Sequence, residues 1–220
     1  MATHVITGAS RGIGLELVRQ VKDRGDDVIA LCRTSTAGLD ELDVRVETGV
    51  DVASDEIVAD LAKRLGDTPV DVVINNAGIL LRQSLDDLDF EAMRKQFEIN
   101  SLGPLRITSA LLGNLAPGAK IAIVTSRMGS LTDNTSGGSY GYRMSKAAVN
   151  IAGVSLARDL ASREIAVAIL HPGFVRTDMT GGSGFIDAAE SARGLLARID
   201  ELTLETSGTF WHQSGETLPW

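Results

Sequence analysis

The feature that most constrains the fold is a regular alternation of short β-branched apolar runs with longer segments whose apolar residues recur at helical spacing. The apolar runs predict strands and the amphipathic segments predict helices. Strands are predicted at 5–7, 28–31, 44–46, 70–74, 121–125, 165–170 and 209–211. Helices are predicted at 13–24, 54–65 with Ser54 as N-cap, 87–96, 104–115, 142–161 and 188–199, with at most a brief helix within 36–43.

This order of elements predicts the α/β class, because strands that alternate with helices form parallel sheets covered on both faces. The chain has 220 residues, a length that suits one domain. We therefore expect a single Rossmann-type, doubly wound domain over residues 1–220 that includes the active site. Its sheet should be mostly or wholly parallel, with about seven strands.

Composition excludes several classes of function. The net charge is −8 and no run of Lys or Arg occurs, so neither a nucleic-acid partner nor an anionic membrane surface is expected. No apolar run approaches the roughly 18 residues of a membrane span, and the N-terminus lacks the features of a signal peptide. These observations favour a cytoplasmic protein. With one cysteine, Cys32, and three scattered histidines, no metal site is expected.

A glycine-rich turn, TGASRGIG at 7–14, directly follows the first predicted strand and opens the first helix. Its glycines, Gly8, Gly12 and Gly14, have the spacing G-x3-G-x-G rather than the usual G-x-G-x-x-G. Glycines allow a tight turn and close approach of backbone, and the helix N-terminus offers free N–H groups to a pyrophosphate. The motif indicates a dinucleotide site; the alternative is a glycine-rich turn that binds nothing.

The end of the second strand bears on the choice between NAD and NADP. It carries Arg33 and no carboxylate, whereas an acidic residue there would bind the ribose hydroxyls of NAD. Arg33, together with Arg11 of the glycine turn, suits a 2′-phosphate, so NADP(H) is the predicted cofactor; otherwise both are solvated surface arginines. Asp51 is a candidate for the adenine amino group, or else a capping or solvent-facing carboxylate.

Tyr142 and Lys146 lie four residues apart in a predicted helix, so their side chains share one face. A nearby ammonium lowers a tyrosine pKa, as does a positive nicotinamide ring, and this predicts an acid/base for carbonyl chemistry. Tyr140 cannot form such a pair, because Met144 stands four residues after it. Ser126 ends the fifth strand, where its hydroxyl could polarise a carbonyl or bind backbone. Asn100 could hold a water that links Lys146 to solvent, or cap a helix.

Together these motifs, with NNAG at 75–78 and HPG at 171–173, resemble the short-chain dehydrogenase/reductase family, and in particular its small carbonyl-reductase-like, C-factor-type branch. The resemblance covers the whole chain. It implies Tyr142 as general acid/base, Lys146 on the nicotinamide ribose, Ser126 on the carbonyl and Asn100 in a proton relay. The cofactor contacts it implies, together with those argued above, are Gly8, Ser10, Arg11, Gly12, Ile13, Gly14, Arg33, Asp51, Val52, Asn76, Ala77, Gly78, Tyr142, Lys146, Pro172, Gly173, Val175 and Thr177.

Two details bear on the substrate site. Ser126 and Tyr142 are separated by a few more residues than in many family members, and we expect the loop at 129–141 to absorb the difference. The short segment 174–187 predicts a small lid and an open pocket. Met128, Phe174, Met179 and Phe185 either contact this pocket or belong to the core.

The expected activity is hydride transfer between NADPH and a small-molecule carbonyl or secondary alcohol. One alternative is a regulatory or signalling protein that binds NADP(H) with little catalysis. A sugar-nucleotide epimerase or dehydratase fits poorly, because such chains need a larger C-terminal substrate domain. Helices 104–115 and 142–161 are apolar on more than one face, and the resemblance implies that such helices pair, so a homodimer or homotetramer is expected.

Overall fold

The computed structural model describes all residues, 1–220. Its strands are β1 (Thr3–Thr7), β2 (Asp27–Leu31), β3 (Arg45–Glu47), β4 (Val70–Asn75), β5 (Leu115–Val124), β6 (Ala166–His171) and β7 (Phe210–His212). Its α-helices are α1 (Gly12–Asp23), α2 (Ala37–Asp40), α3 (Glu56–Leu65), α4 (Phe90–Phe97), α5 (Gly103–Leu111), α6 (Tyr140–Asp159) and α7 (Ala188–Asp200). A π-helical segment, Glu98–Leu102, joins α4 to α5.

All seven strands form one parallel sheet in the order β3-β2-β1-β4-β5-β6-β7. This confirms the predicted Rossmann-type α/β architecture. Several predicted bounds are wrong: the strand expected at 121–125 begins at Leu115, and the helix expected at 87–96 begins at Phe90. The helix expected at 104–115 ends at Leu111, and Leu115 already begins β5. Ser54 lies one residue before the N-cap, Asp55, although its hydroxyl accepts a hydrogen bond from the Glu56 N–H.

The core consists of two layers, one on each side of the sheet. Successive residues of a strand point to opposite faces, so Val5 packs with the residues of α3, α5 and α6, whereas Ile6 packs with those of α1 and α7. Both side chains are fully buried. Burial on both faces explains why the strands have continuous apolar runs rather than alternating ones.

The strand order reverses between β1 and β4, which are hydrogen-bonded neighbours. In open α/β sheets, ligands bind beyond the carboxyl ends of the strands at such a switch point. The glycine turn after β1 and the NNAG segment after β4 therefore meet at the expected ligand edge. None of the helices combines the length and apolarity that crossing a bilayer requires.

Candidate active site

The glycine turn after β1 is held tightly, and a side chain at any of its three glycines would overlap neighbouring atoms or strain the backbone. Gly8 and Gly12 have φ of 66° and 55°, in the left-handed region that favours glycine. A Cβ at Gly14 would lie 2.1 Å from the Gly8 carbonyl oxygen. The Asn76 amide donates to the Thr7 carbonyl at 3.0 Å, which ties the turn to the loop after β4. The turn thus exposes the first N–H groups of α1, which have no partner within the helix, to a ligand.

Two adjoining cavities of about 650 and 570 Å³ form a long groove along this turn. The groove is lined by the predicted cofactor residues Gly8, Ser10, Arg11, Gly12, Ile13, Gly14, Arg33, Asp51, Val52, Asn76, Ala77, Gly78 and Thr177. Arg11 and Arg33 both line the second of these cavities, the one of about 570 Å³. The Arg11 guanidinium also lies 3.6 Å from the Asp178 carboxylate. Asp51 accepts the Ala53 N–H at 3.0 Å and still faces the groove. A glycine cradle with two arginines fits a phosphorylated dinucleotide.

Tyr142 and Lys146 are both buried on one face of α6. The Lys146 ammonium donates to the Val124 carbonyl at 3.0 Å and lies 5.8 Å from the centre of the Tyr142 ring. Burial lowers the pKa of Lys146 to about 8. Burial also raises the pKa of Tyr142, and the Ser126 hydroxyl opposes this only in part. The expectation that the lysine lowers the tyrosine pKa is therefore wrong for the protein's own groups, because desolvation of the phenolate is the largest effect on this pKa and Lys146 is not among its causes.

Ser126 lies beside Tyr142 despite the longer separation in sequence. A short 3₁₀ turn, Arg127–Gly129, follows Ser126, whose hydroxyl accepts the Met128 N–H at 3.1 Å. Gly129 packs directly against α6, where a Cβ would lie 2.7 Å from the Lys146 carbonyl carbon. The additional residues protrude as the loop before α6, as the sequence predicted. The Ser126 hydroxyl can still donate its own proton to a ligand.

Asn100 lies in the π-helical segment and caps no helix. Its side-chain oxygen accepts the Ile79 N–H at 2.8 Å, and its amide donates to the Ile79 carbonyl at 2.9 Å and to the Ser145 hydroxyl at 3.0 Å. Both amide hydrogens are thus used, and only the oxygen keeps a lone pair for a water. The π-turn, a feature frequent at functional sites, had no recognised signal in the sequence.

A third cavity, of about 360 Å³, lies beside Ser126 and Tyr142. It shares Ile13, Leu80, Thr177 and Met179 with the groove at the glycine turn, so the two spaces adjoin. Other predicted residues that line it are Met128, Pro172, Gly173, Phe174 and Val175. Phe185 does not line it and is 85% exposed.

Sequence reasoning missed several lining residues of this third cavity, among them the charged or titratable residues Arg82, Arg127, Asp133, Arg143 and His171. Proximity in sequence to the NNAG segment, Ser126, Tyr142 and Pro172 was their only signal. Burial, aided by neighbouring positive groups, lowers the pKa of His171 to about 3, so it is neutral.

A sequence profile described as short chain dehydrogenase matches residues 2–184. The chain belongs to this family. A relative from Rhodococcus sp. (strain AD45), 1-hydroxy-2-glutathionyl-2-methyl-3-butene dehydrogenase, is 46% identical and covers 100% of both chains. The C-signal protein of Myxococcus xanthus is 51% identical over 155 residues, which are 69% of this chain and 93% of that protein.

Solved structures of this family superpose on the whole chain. The NADPH-bound carbonyl reductase from chicken fatty liver has a TM-score of 0.89 at 27% identity and covers 100% of this chain and 99% of its own. A putative short-chain dehydrogenase/reductase from Burkholderia multivorans with bound NADP has a TM-score of 0.90 at 30% identity, with the same coverage. The family and its fold are thereby established for this chain.

Proposed function

We propose that this protein is an NADP(H)-dependent oxidoreductase of the carbonyl-reductase type, which transfers a hydride between the nicotinamide and a carbonyl or secondary alcohol. The observation that carries the proposal is that the cavity beside Ser126 and Tyr142 adjoins the groove at the glycine turn. A substrate and a dinucleotide can therefore meet at Tyr142. Similar structures with bound NADPH or NADP support the choice of cofactor.

Each buried polar group has a separate task in this proposal. The nicotinamide supplies or accepts the hydride. In the reducing direction, the neutral Tyr142 phenol donates its proton to the carbonyl oxygen, and its raised pKa keeps that proton available. Ser126 donates a hydrogen bond to the same oxygen, which stabilises developing negative charge. Lys146 binds the nicotinamide ribose, and its charge favours the phenolate after proton transfer.

The remaining groups hold the nucleotide in place. The α1 N-terminus would bind the pyrophosphate, and Arg11 and Arg33 would bind the 2′-phosphate. Asp51 and Val52 would contact the adenine, while Ala77, Gly78, Pro172, Gly173, Val175 and Thr177 would border the nicotinamide half. Asn76 positions the cofactor site by its hydrogen bond to the backbone of the glycine turn. Asn100 does so by its hydrogen bond to the backbone of Ile79. The free lone pair of Asn100 is available to a water in a proton relay.

Replacement of Tyr142 by phenylalanine tests the mechanism. We expect reduction of small aldehydes, followed at 340 nm, to fall by about 10²- to 10⁴-fold, the usual contribution of a general acid, while NADPH binding measured by fluorescence is kept. The matched control is Tyr140→Phe, which removes the same hydroxyl from the partly exposed tyrosine two residues earlier on α6. Full activity of Tyr142→Phe would exclude this residue as the acid.

A second candidate is a signalling protein that binds NADP(H) with little catalysis, favoured by the similarity to C-signal. Fluorescence titration with NADPH and then NADH, followed by a panel of aldehydes and ketones, separates the two. Tight NADPH binding with turnover supports the enzyme; tight binding with no turnover supports the signalling role. No binding of either nucleotide would contradict both.

We also propose a homodimer or homotetramer formed through α5 and α6. Large apolar side chains on these helices are exposed, including Leu105 at 36%, Met144 at 51% and Ile151 at 65%. Burial of such side chains between subunits would remove apolar area from water. Sedimentation that shows a monomer at every concentration would contradict this.

A further inference from the structure

The cavity beside Tyr142 has an excess of positive charge. Arg82, Arg127 and Arg143 line it, Asp133 is its only lining carboxylate, and the lining histidine, His171, is neutral. The chain as a whole has a net charge of −8. The three arginines around this small cavity are therefore opposite in sign to the net charge of the molecule. A cleft lined by one sign of charge attracts ligands of the opposite sign.

Arg143 retains capacity to bind a ligand. Its guanidinium donates to the carbonyls of Gly137 at 3.2 Å and Met128 at 3.4 Å, and to the Ser136 hydroxyl at 2.8 Å. All three acceptors are neutral, so the positive charge is not compensated by these contacts. A guanidinium has five N–H groups. Two remain, one on each terminal nitrogen, and a carboxylate can accept a charge-assisted hydrogen bond from such a group.

The other two arginines differ in how they are paired. Arg127 lies between Asp133, at 3.5 Å, and Glu216, at 3.2 Å, so carboxylates already balance it. Arg82 is exposed and forms no ion pair with any acidic residue. Arg82 and Arg143 are therefore the two lining cations whose charge is available to a ligand.

We propose that the substrate is an aldehyde, ketone or alcohol that carries a carboxylate, which Arg143 and Arg82 bind while the reacting carbon lies at Tyr142. The cavity is also lined by Leu80, Met128 and Phe174, which suit an apolar segment of such a substrate. The inference rests on the proposed function, because it assigns a substrate class to the same site.

Matched aldehydes that differ in charge test the inference. The probes are 4-carboxybenzaldehyde with methyl 4-formylbenzoate, and the corresponding 3-substituted pair, each reduced with saturating NADPH. We expect kcat/KM to favour an acid over its ester by about tenfold or more, the effect of a charge-assisted hydrogen bond, chiefly through KM. The preference should shrink as ionic strength rises.

Variants assign the preference to particular residues. The acid-to-ester ratio should fall toward one in Arg143→Gln and in Arg82→Gln, and further in the double variant. Arg143→Lys should keep part of it, since charge remains without the planar fork. Arg193→Gln removes the same charge from an exposed position on α7 outside the cavity and should keep the wild-type ratio. If Arg143→Gln fails to fold, the acid-to-ester ratios of Arg82→Gln and Arg143→Lys still test the inference.

The outcomes separate this inference from the proposed function. Turnover of both esters at rates equal to or above those of their acids overturns the inference and leaves the proposed function standing. An acid preference that survives in the double variant also overturns it. If NADPH binds and neither acids nor esters react, the proposed function fails for these carbonyls, and the inference falls with it.

Discussion

Replacement of Gly14 by alanine tests whether the glycine turn is as tight as its geometry indicates. The new methyl would lie 2.1 Å from the Gly8 carbonyl oxygen and 2.7 Å from the Asn76 amide nitrogen. Non-bonded heavy atoms are most stable at about 3.5 Å or more, so the turn must move by roughly 1.4 Å for the overlap with Gly8 to be fully relieved. Because the obstacle is backbone, no rotation of a side chain relieves the overlap.

The expected cost follows from three contributions. Overpacking destabilises the fold by about 1–3 kcal/mol, and loss of the hydrogen bond from Asn76 to Thr7 destabilises it by about 1 kcal/mol more. The better helix propensity of alanine in α1 offsets about 1 kcal/mol of this loss. The free energy of unfolding should therefore fall by about 1–3 kcal/mol, a decrease in Tm of about 2–12 °C for a chain of this size. Displacement of the α1 N-terminus should also weaken NADPH binding by about tenfold or more, or at least 1.4 kcal/mol.

Thermal unfolding followed by circular dichroism measures the first effect, and fluorescence titration with NADPH measures the second. Gly113→Ala is the matched control, since Gly113 is exposed, has no positive φ, and its added Cβ would meet nothing within 4 Å. A Gly14→Ala variant with wild-type Tm and NADPH affinity would refute the reasoning from the close approach of Gly8.

Three further predictions follow from the buried and charged groups. Burial lowers the pKa of Lys146 to about 8 in the folded protein, so above that pH the unfolded chain binds more protons than the folded one. This lysine should therefore make the free energy of unfolding rise by about 2 kcal/mol between about pH 8 and pH 10. Urea unfolding of Lys146→Met should lack this rise, and an equal rise in the variant would contradict the prediction. Arg33→Ala should reduce the preference for NADPH over NADH by about tenfold in fluorescence titrations, and an unchanged ratio would mean that this arginine is only solvated. Asn100→Ala should lower the free energy of unfolding by about 2–4 kcal/mol, because it leaves the Ile79 N–H and C=O without partners; a loss under 1 kcal/mol in urea would show that the loop rearranges.

Patterns among residues close together in the sequence were enough to predict the sheet and the glycine turn that borders the groove. Val5 and Ile6 belong to opposite layers because side chains alternate along a strand, so an apolar run without alternation already predicts a sheet covered on both faces. Gly8, Gly12 and Gly14 could be assigned to a dinucleotide turn from their spacing directly after a strand, although residues far along the chain, Ala77 and Asn76, also approach Gly8 and Gly14 closely. The predicted helix at 104–115 fails for a related reason: a run of apolar residues does not show where a helix ends and a buried strand begins.

The cavity beside Tyr142 depends instead on contacts between residues far apart in the chain. Arg82, Arg127 and Arg143 come from three separate loops or helix ends, and nothing in the local sequence of any one indicates that the three surround a single space. The Tyr142 pKa is a similar case, because the i, i+4 spacing predicts a neighbouring ammonium but not the burial that raises this pKa. Substrate preference in this fold is therefore set by which loops the sheet brings to its ligand edge, so it has to be argued from charge and burial in the folded protein.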